Sequence, residues 1–503
     1  MCIWGEKMKQ ELEYYLAQRK KIIALHYVNF VIDWDMQTDA AENSILANSQ
    51  QSAVLSEMSY SLTTDAEYER SVGVLYEHRD ELDETLRHEI EVVYRDIANT
   101  KKIPIEEYVA YSELTSQAYP MYVRAKNENN FELFRPYLEK IVEFCRKQTV
   151  WLATDKLKGY DVLLDMYEPH YNQAKYDKFF KVLRKKLVPF VRRKTKKPVK
   201  VPKWAEQLFD VNKQRVFCEY IRDVMCFDKS RGIMKESEHP FTTGFGTDDV
   251  RITTHYYENH LEYAIFSAIH EGGHAIYEQQ CDPSLNGTFC TGGASLGLHE
   301  SQSRFYENII GRSRAFWEVH FPKLQEIFAP KLNKVTVDQF VKYINATQAS
   351  FVRTEADELT YPLHIMLRYE IEQKVIAGEL EVKDLPKYWN EKFTEYFGIT
   401  PPTDTLGVLQ DVHWAYGNFG YFPTYALGSA IAAQLYHYMN KDFDVEASLS
   451  DGTTKRINEW LREHIHKYGA SKYPDEILRL ATGEDFNPDY YVDYLIKKYS
   501  KKQ

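Results

Sequence analysis

Two imidazoles and a carboxylate stand at a spacing suited to a hydrolytic metal site in Ile269-His270-Glu271-Gly272-Gly273-His274-Ala275. On a helix, side chains at i and i+4 lie one turn apart on the same face. His270 and His274 can therefore share one ion while Glu271 projects beside it. A zinc ion held by two neutral histidines and one carboxylate leaves a position for water, lowers the pKa of that water towards neutrality, and lets an adjacent glutamate take its proton. The third ligand is expected at Glu300, in Leu298-His299-Glu300-Ser301-Gln302-Ser303-Arg304. Turn formers in Cys281-Asp282-Pro283-Ser284-Leu285-Asn286-Gly287 and Thr291-Gly292-Gly293 allow a second helix to begin near Gly297 and fold back onto the first. The competing account is a surface helix carrying the pattern by accident, expected in roughly one chain in twenty-five or fewer of this size. Gly272 and Gly273 oppose it: each costs a helix about 1 kcal/mol relative to Ala, which points to close approach by substrate or backbone. So do the apolar flanks, Tyr263-Ala264-Ile265-Phe266 and Ala275-Ile276-Tyr277, which bury the helix and leave its polar groups in need of a purpose.

Substrate recognition has its own candidates. Phe351-Val352-Arg353-Thr354-Glu355-Ala356-Asp357-Glu358-Leu359-Thr360-Tyr361 carries an arginine among apolar residues. Its planar fork suits a free α-carboxylate, although the residues alone favour an intrahelical pair with Asp357 at i+4. Gly407-Val408-Leu409-Gln410-Asp411-Val412-His413-Trp414 leads into a Gly- and aromatic-rich loop that opens an apolar helix near Pro423. His413 and a tyrosine, Tyr421 or Tyr425, can donate hydrogen bonds to the oxyanion of a tetrahedral intermediate. Taken alone, His413 is more readily a satisfied core histidine, and tyrosines number 38.

The elements that must position these groups are helical. Glu84-Thr85-Leu86-Arg87-His88-Glu89-Ile90-Glu91-Val92-Val93-Tyr94 has apolar residues three and four apart, and similar stretches recur throughout. With 22 Gly and 18 Pro among 503 residues, a mainly α fold is expected, as one large domain or two lobes joined near 189–203. Val250-Arg251-Ile252-Thr253-Thr254-His255-Tyr256-Tyr257 alternates and is β-branched. It is expected as a ribbon beside the metal helix, either a structural cap or an edge strand that holds extended peptide. Six cysteines without a C-x-x-C pair, and no basic-apolar leader pattern, point to a reducing cytoplasm. No apolar run reaches membrane-span length, and 74 acidic against 63 basic residues argue against a nucleic-acid partner. The basic run Lys181 to Lys203, interrupted by Pro189, Pro198 and Pro202, reads as a solvated helix end followed by a linker.

Five separated motifs resemble those of the thermostable carboxypeptidase Taq family, the family 32 zinc metallocarboxypeptidases. They are His239-Pro240-Phe241 paired with Asp249-Val250-Arg251-Ile252-Thr253; His270 to His274; His299-Glu300-Ser301-Gln302; Val352-Arg353 with Ala356-Asp357; and Gly407 with Gln410-Asp411 and His413-Trp414. Asp33-Trp34-Asp35 and Asn130-Phe131-Glu132-Leu133-Phe134-Arg135-Pro136 extend the likeness to nearly the whole chain. The resemblance implies an all-helical homodimer with a deep central cleft, one zinc per subunit on His270, His274 and Glu300, and Glu271 as general base and proton shuttle. It implies Arg353 as clamp on the substrate's terminal carboxylate, His413 with Tyr421 or Tyr425 as transition-state donors, and His239 and Arg251 along the substrate. Asp357, Gln410 and Asp411 become orienting groups. The expected activity is removal of single carboxy-terminal residues from peptides. Met36-Gln37-Thr38-Asp39-Ala40-Ala41 departs from the proline-rich stretch of the family, a difference that bears on the entrance or dimer geometry and not on the chemistry.

Several accounts share these residues. An endo-oligopeptidase or dipeptidyl carboxypeptidase would use the same metal site, and only the distance from Arg353 to the metal separates them. An aminopeptidase would present carboxylates to a free amine, and no Gly-x-Met-x-Asn signature precedes the metal helix. A non-catalytic zinc-stabilised scaffold would have no need of Glu271. Cobalt or manganese can replace zinc at such a site, because selectivity among these ions follows geometry and availability more than ligand identity.

Overall fold

The structure, a computed structural model, describes residues 2–500, with side chains from Glu6 onward, so the side chain of Cys2 lies outside the described residues. Helices run from one end to the other, as expected from the periodicity. The stretch from Glu84 forms the helix Glu84–Lys102, begun by the Asp83 side chain, which accepts the backbone N–H of Leu86. With Cys2–Thr38 and Ala66–Glu77 it encloses a small core of Tyr15, Ile22, Tyr68, Val72, Leu75 and Ile90. Ile45–Thr63 lies along the first helix and buries none of its residues. The departing segment Met36 to Ala41 is the end of the first helix and the turn after it.

A much larger apolar core extends from Ala118 to Tyr499 and draws residues from both sides of 189–203. Residues 181–194 of the basic run belong to Gln173–Val182, a π-helical turn Leu183–Leu187 and Val188–Lys194, which bury Leu183, Leu187, Phe190 and Val191, and 195–203 continue as turn and irregular backbone. Its charges face outward, where Arg184 meets Glu395 and Lys186 meets Asp489.

Three short strands, β1 (Gly232–Glu236), β2 (Thr242–Gly244) and β3 (Val250–Thr254), make one sheet in the order β1-β3-β2. The alternation of Val250 to Tyr257 is therefore only partly strand, and β3 is not an edge. It pairs in parallel with β1, Gly232 opposite Val250, and antiparallel with β2, Thr242 opposite Ile252. The edge next to Glu271 is β2 instead. A strand with buried Val250, Ile252, Thr253 and Thr254 satisfies its backbone on both sides, and sequence alternation alone does not reveal which strand that will be.

The motif helix, Leu261–Gln280, is buried on nearly all sides, by Leu261, Ala264, Ile265, Ala268, Ile269, Ala275 and Ile276 among others. The helix expected near Gly297 is Leu296–Arg304, whose N-cap Ser295 accepts from the Leu298 N–H. It passes so close to the motif helix that a Cβ on Gly273 would lie 2.8 Å from both the Gln302 carbonyl oxygen and Ser303 Cα. Gly272 makes room for the Met225 sulfur. On its other side Leu296–Arg304 meets Pro423–Asp442 at Gly428, where an added Cβ would lie 2.8 Å from Glu300 Cβ. The glycines that cost helix propensity thus admit backbone and side chains of the protein itself. Gly273→Val is expected to lower stability by about 1–3 kcal/mol in chemical denaturation, because the clash is with backbone that cannot rotate away. It should also weaken metal binding in chelator competition by displacing Glu300.

Candidate active site

His270 and His274 present their Nε2 atoms to one oxygen of Glu300, Oε2, at 3.7 and 3.5 Å. One ligand atom from each of the three residues falls within 4.8 Å of the others. These separations exceed a hydrogen bond, as befits lone pairs converging on a common point. Each imidazole is oriented from behind. His270 Nδ1 lies 2.9 Å from Glu307 Oε2. His274 Nδ1 lies 2.6 Å from His299 Nδ1, and His299 Nε2 lies 2.6 Å from Glu278 Oε1. Ligation through Nε2 requires a proton on Nδ1, so His274 donates to His299, which in turn donates to Glu278. The Glu300 carboxylate is split between tasks: Oε1 accepts from Arg304 Nε at 2.6 Å, while Oε2, which takes a 3.0 Å bond from the Ser303 hydroxyl, faces the histidines. Burial alone would raise its pKa, but Arg304 and the histidines hold it well below the usual carboxylate range. Burial pushes His274 down to about 4, leaving it neutral at pH 7. Two imidazoles and an ionised carboxylate, with the open side left by a three-ligand set, fit a divalent ion.

Glu271 is buried beside these ligands. The Thr242 hydroxyl of β2 reaches its Oε2 at 2.6 Å and its backbone carbonyl at 3.0 Å. Burial raises the pKa of the carboxyl, which makes it a stronger base than an exposed glutamate.

Arg353 does not make the intrahelical pair. It sits on a 3₁₀ turn, Arg353–Glu355, while Asp357 accepts backbone N–H groups from Gln348, Leu359 and Thr360. The guanidinium is buried. Nε donates to Asp411 Oδ1 at 2.9 Å and Nη1 to the Tyr361 hydroxyl at 3.2 Å, and Nη2 makes no hydrogen bond to the described residues. Asp411 also takes Arg368 Nε on Oδ2 at 2.7 Å, so two buried arginines share one aspartate and the cluster holds one positive charge in excess. Such a cluster favours an anion. Tyr361 connects it to the candidate metal ligands, because Arg304, bonded to Glu300, lies 4.5 Å over the Tyr361 ring. Gln410 Oε1 accepts the Arg353 backbone N–H at 2.9 Å.

His413 lies between Phe422 and the two tyrosines; its Nε2 is 3.2 Å from the Tyr425 hydroxyl and its buried Nδ1 has no partner among the described residues. Burial pushes it down to about 4, so the ring is neutral. Burial raises the pKa of the Tyr421 hydroxyl, and its ring lies 5.4 Å from that of His413 and 5.2 Å from that of Tyr425. Arg251 forms a two-pronged pair with Asp249 and lies over the rings of Phe30 and Trp34 from the first helix. His239 is exposed beyond β1, its carbonyl accepting the Ser237 hydroxyl at 2.7 Å.

The structure therefore gathers His270, His274, Glu300 and Glu271 at one point, with Arg353, His413, Tyr421 and Tyr425 in a connected cluster beside it. His239 and Arg251 lie on the ribbon side. Sequence reasoning gave no role to Glu307, Glu278, His299, Arg304, Thr242, Tyr361 or Arg368. Glu300, Arg304 and Glu307 do follow helical spacing, a signal that was available. Glu278, one turn beyond His274 on the motif helix, follows the same spacing but meets His299 only through a tertiary contact, as Thr242 meets Glu271.

A helical protein with an H-E-x-x-H pair, a glutamate facing it from the following helix and a buried carboxylate beside them has a candidate site of the metallopeptidase kind. The chain matches the Carboxypeptidase Taq (M32) metallopeptidase family over residues 14–499 and belongs to that family. It is 41% identical over 479 residues to Carboxypeptidase 1 of Bacillus subtilis (strain 168), covering 94% of this chain and 95% of that one. It is 37% identical over 496 residues to Thermostable carboxypeptidase 1 of Pyrococcus furiosus, covering 96% and 97%. The crystal structure of the M32 carboxypeptidase from Deinococcus radiodurans R1 superposes with a TM-score of 0.93 at 30% identity, covering 98% of this chain and 99% of that one. The protein is accordingly a metallocarboxypeptidase. Replacing His299 by Phe keeps a ring but removes the acceptor behind His274. Metal affinity in chelator competition is expected to fall about 10–100-fold with helix content unchanged.

Proposed function

We propose that the protein is a zinc-dependent carboxypeptidase that releases one residue at a time from peptides with a free carboxy terminus. The observation that carries this reading is the buried, net-positive Arg353–Asp411–Arg368 cluster, joined to the metal ligands through Tyr361 and Arg304. A clamp for an α-carboxylate so near the ligands suits cleavage of the last peptide bond. His270, His274 and Glu300 would hold the ion, which when bound polarises the carbonyl and lowers the pKa of a water molecule. Glu271 takes a proton from the attacking water and passes it to the leaving amine nitrogen, as the new C–O bond forms and the C–N bond breaks. Thr242 fixes the direction of that carboxylate. Tyr421, whose ring lies 5.4 Å from that of His413, and His413 donate to the developing oxyanion, with Tyr425 linking to His413. His239 lies along the substrate path. Arg251, with its fork on Asp249, acts there through the wall of Phe30 and Trp34.

Cobalt or manganese would serve in place of zinc. Family membership supports a homodimer. Among the described residues no helix is long and apolar enough to cross a membrane. The free cysteines Cys145, Cys218, Cys226, Cys281 and Cys290 support a reducing, cytoplasmic setting.

Mass spectrometry of a mixed peptide set tests the reading. Single residues should leave free carboxy termini in succession, and amidated peptides should resist. Arg353→Ala should lower kcat/KM roughly 10–100-fold, the worth of a charged hydrogen bond. Loss of dipeptides, or internal cuts indifferent to amidation, would move the assignment to a dipeptidyl carboxypeptidase or an endo-oligopeptidase. Glu271→Gln should abolish turnover while retaining the metal, whereas a non-catalytic scaffold would be unaffected.

A further inference from the structure

His413 and Tyr421 stand on a loop, and a loop holds reacting groups in place only when its backbone is fixed. One buried carboxylate fixes this one. Glu372, from the helix Tyr361–Ala377, is wholly excluded from solvent. Its Oε1 accepts from Trp414 Nε1 at 2.7 Å, and its Oε2 accepts from the Gly420 N–H at 2.8 Å and the Tyr160 hydroxyl at 2.6 Å. Trp414 directly follows His413, and Gly420 directly precedes Tyr421. The carboxylate therefore grips the loop beside each donor. Gly420 has a φ of +95°, and a Cβ there would lie 2.5 Å from the Leu163 carbonyl oxygen, so the backbone is held against the core at the same point. Burying a carboxylate is costly, and packing alone would be served by an apolar side chain.

We propose that Glu372 is a positioning residue for hydrolysis: by pinning Trp414 and Gly420 it sets the placement of His413 and Tyr421, touching neither substrate nor metal. This rests on the proposed roles of His413 and Tyr421. The Tyr160 bond supplies an internal control, because it meets the same carboxylate without belonging to the loop.

The test measures kcat, KM and metal affinity of the full-length, zinc-loaded protein on a free-carboxylate peptide. Glu372→Gln is expected to lower kcat at least about 20-fold, since small misplacements cost up to about a hundredfold. KM and metal affinity should remain within about threefold. Trp414→Phe, which removes one N–H and keeps the packing, should lower kcat about fivefold or more, while Tyr160→Phe stays within about twofold. Should Glu372→Gln fail to fold, the last two variants decide. Equal losses in Trp414→Phe and Tyr160→Phe, or unchanged kcat in Trp414→Phe, would overturn the proposal. His413→Ala separates the two levels: if it retains full kcat, the role of His413 fails; if it loses kcat while Trp414→Phe does not, only the positioning role fails.

Discussion

The site depends on the contact between two helices at Gly273. Because that residue lacks a side chain, Leu296–Arg304 can lie against Leu261–Gln280, and Glu300 can face His270 and His274. Gly428 repeats the device on the far side, so the glutamate-bearing helix is held between two others. Close-packed interiors transmit small displacements, so ligand geometry here is a property of backbone packing as much as of the ligands.

Around that contact, the buried ionic groups are arranged in partnered sets. Glu300 and Glu307 are matched by Arg304 and Arg312, and the two histidines are backed by Glu307 and by His299 with Glu278. The second cluster is net positive, with Arg353 and Arg368 on Asp411. A site with a cation-seeking end and an anion-seeking end, joined by Tyr361, has the polarity that a peptide's last residue presents.

Regular elements carry the candidate metal ligands, whereas the groups proposed for the oxyanion and the terminal carboxylate lie on or beside turns. Turns need external supports, and the structure supplies them from the surrounding packing: Gln410 and Asp411 for Arg353, and Glu372 for the loop of His413 and Tyr421. These supports are polar and largely shielded from water, which fixes geometry more narrowly than apolar packing does.

The sequence by itself determined the helical class, the pairing of His270 with His274, and the choice of Glu300, because these follow from local periodicity and from turn residues between two helices. Tertiary structure alone decided that β3 is central, that Arg353 pairs with Asp411 and not Asp357, and that Glu372 meets Trp414 and Gly420. Those contacts join residues tens to hundreds of positions apart, and no local spacing encodes them.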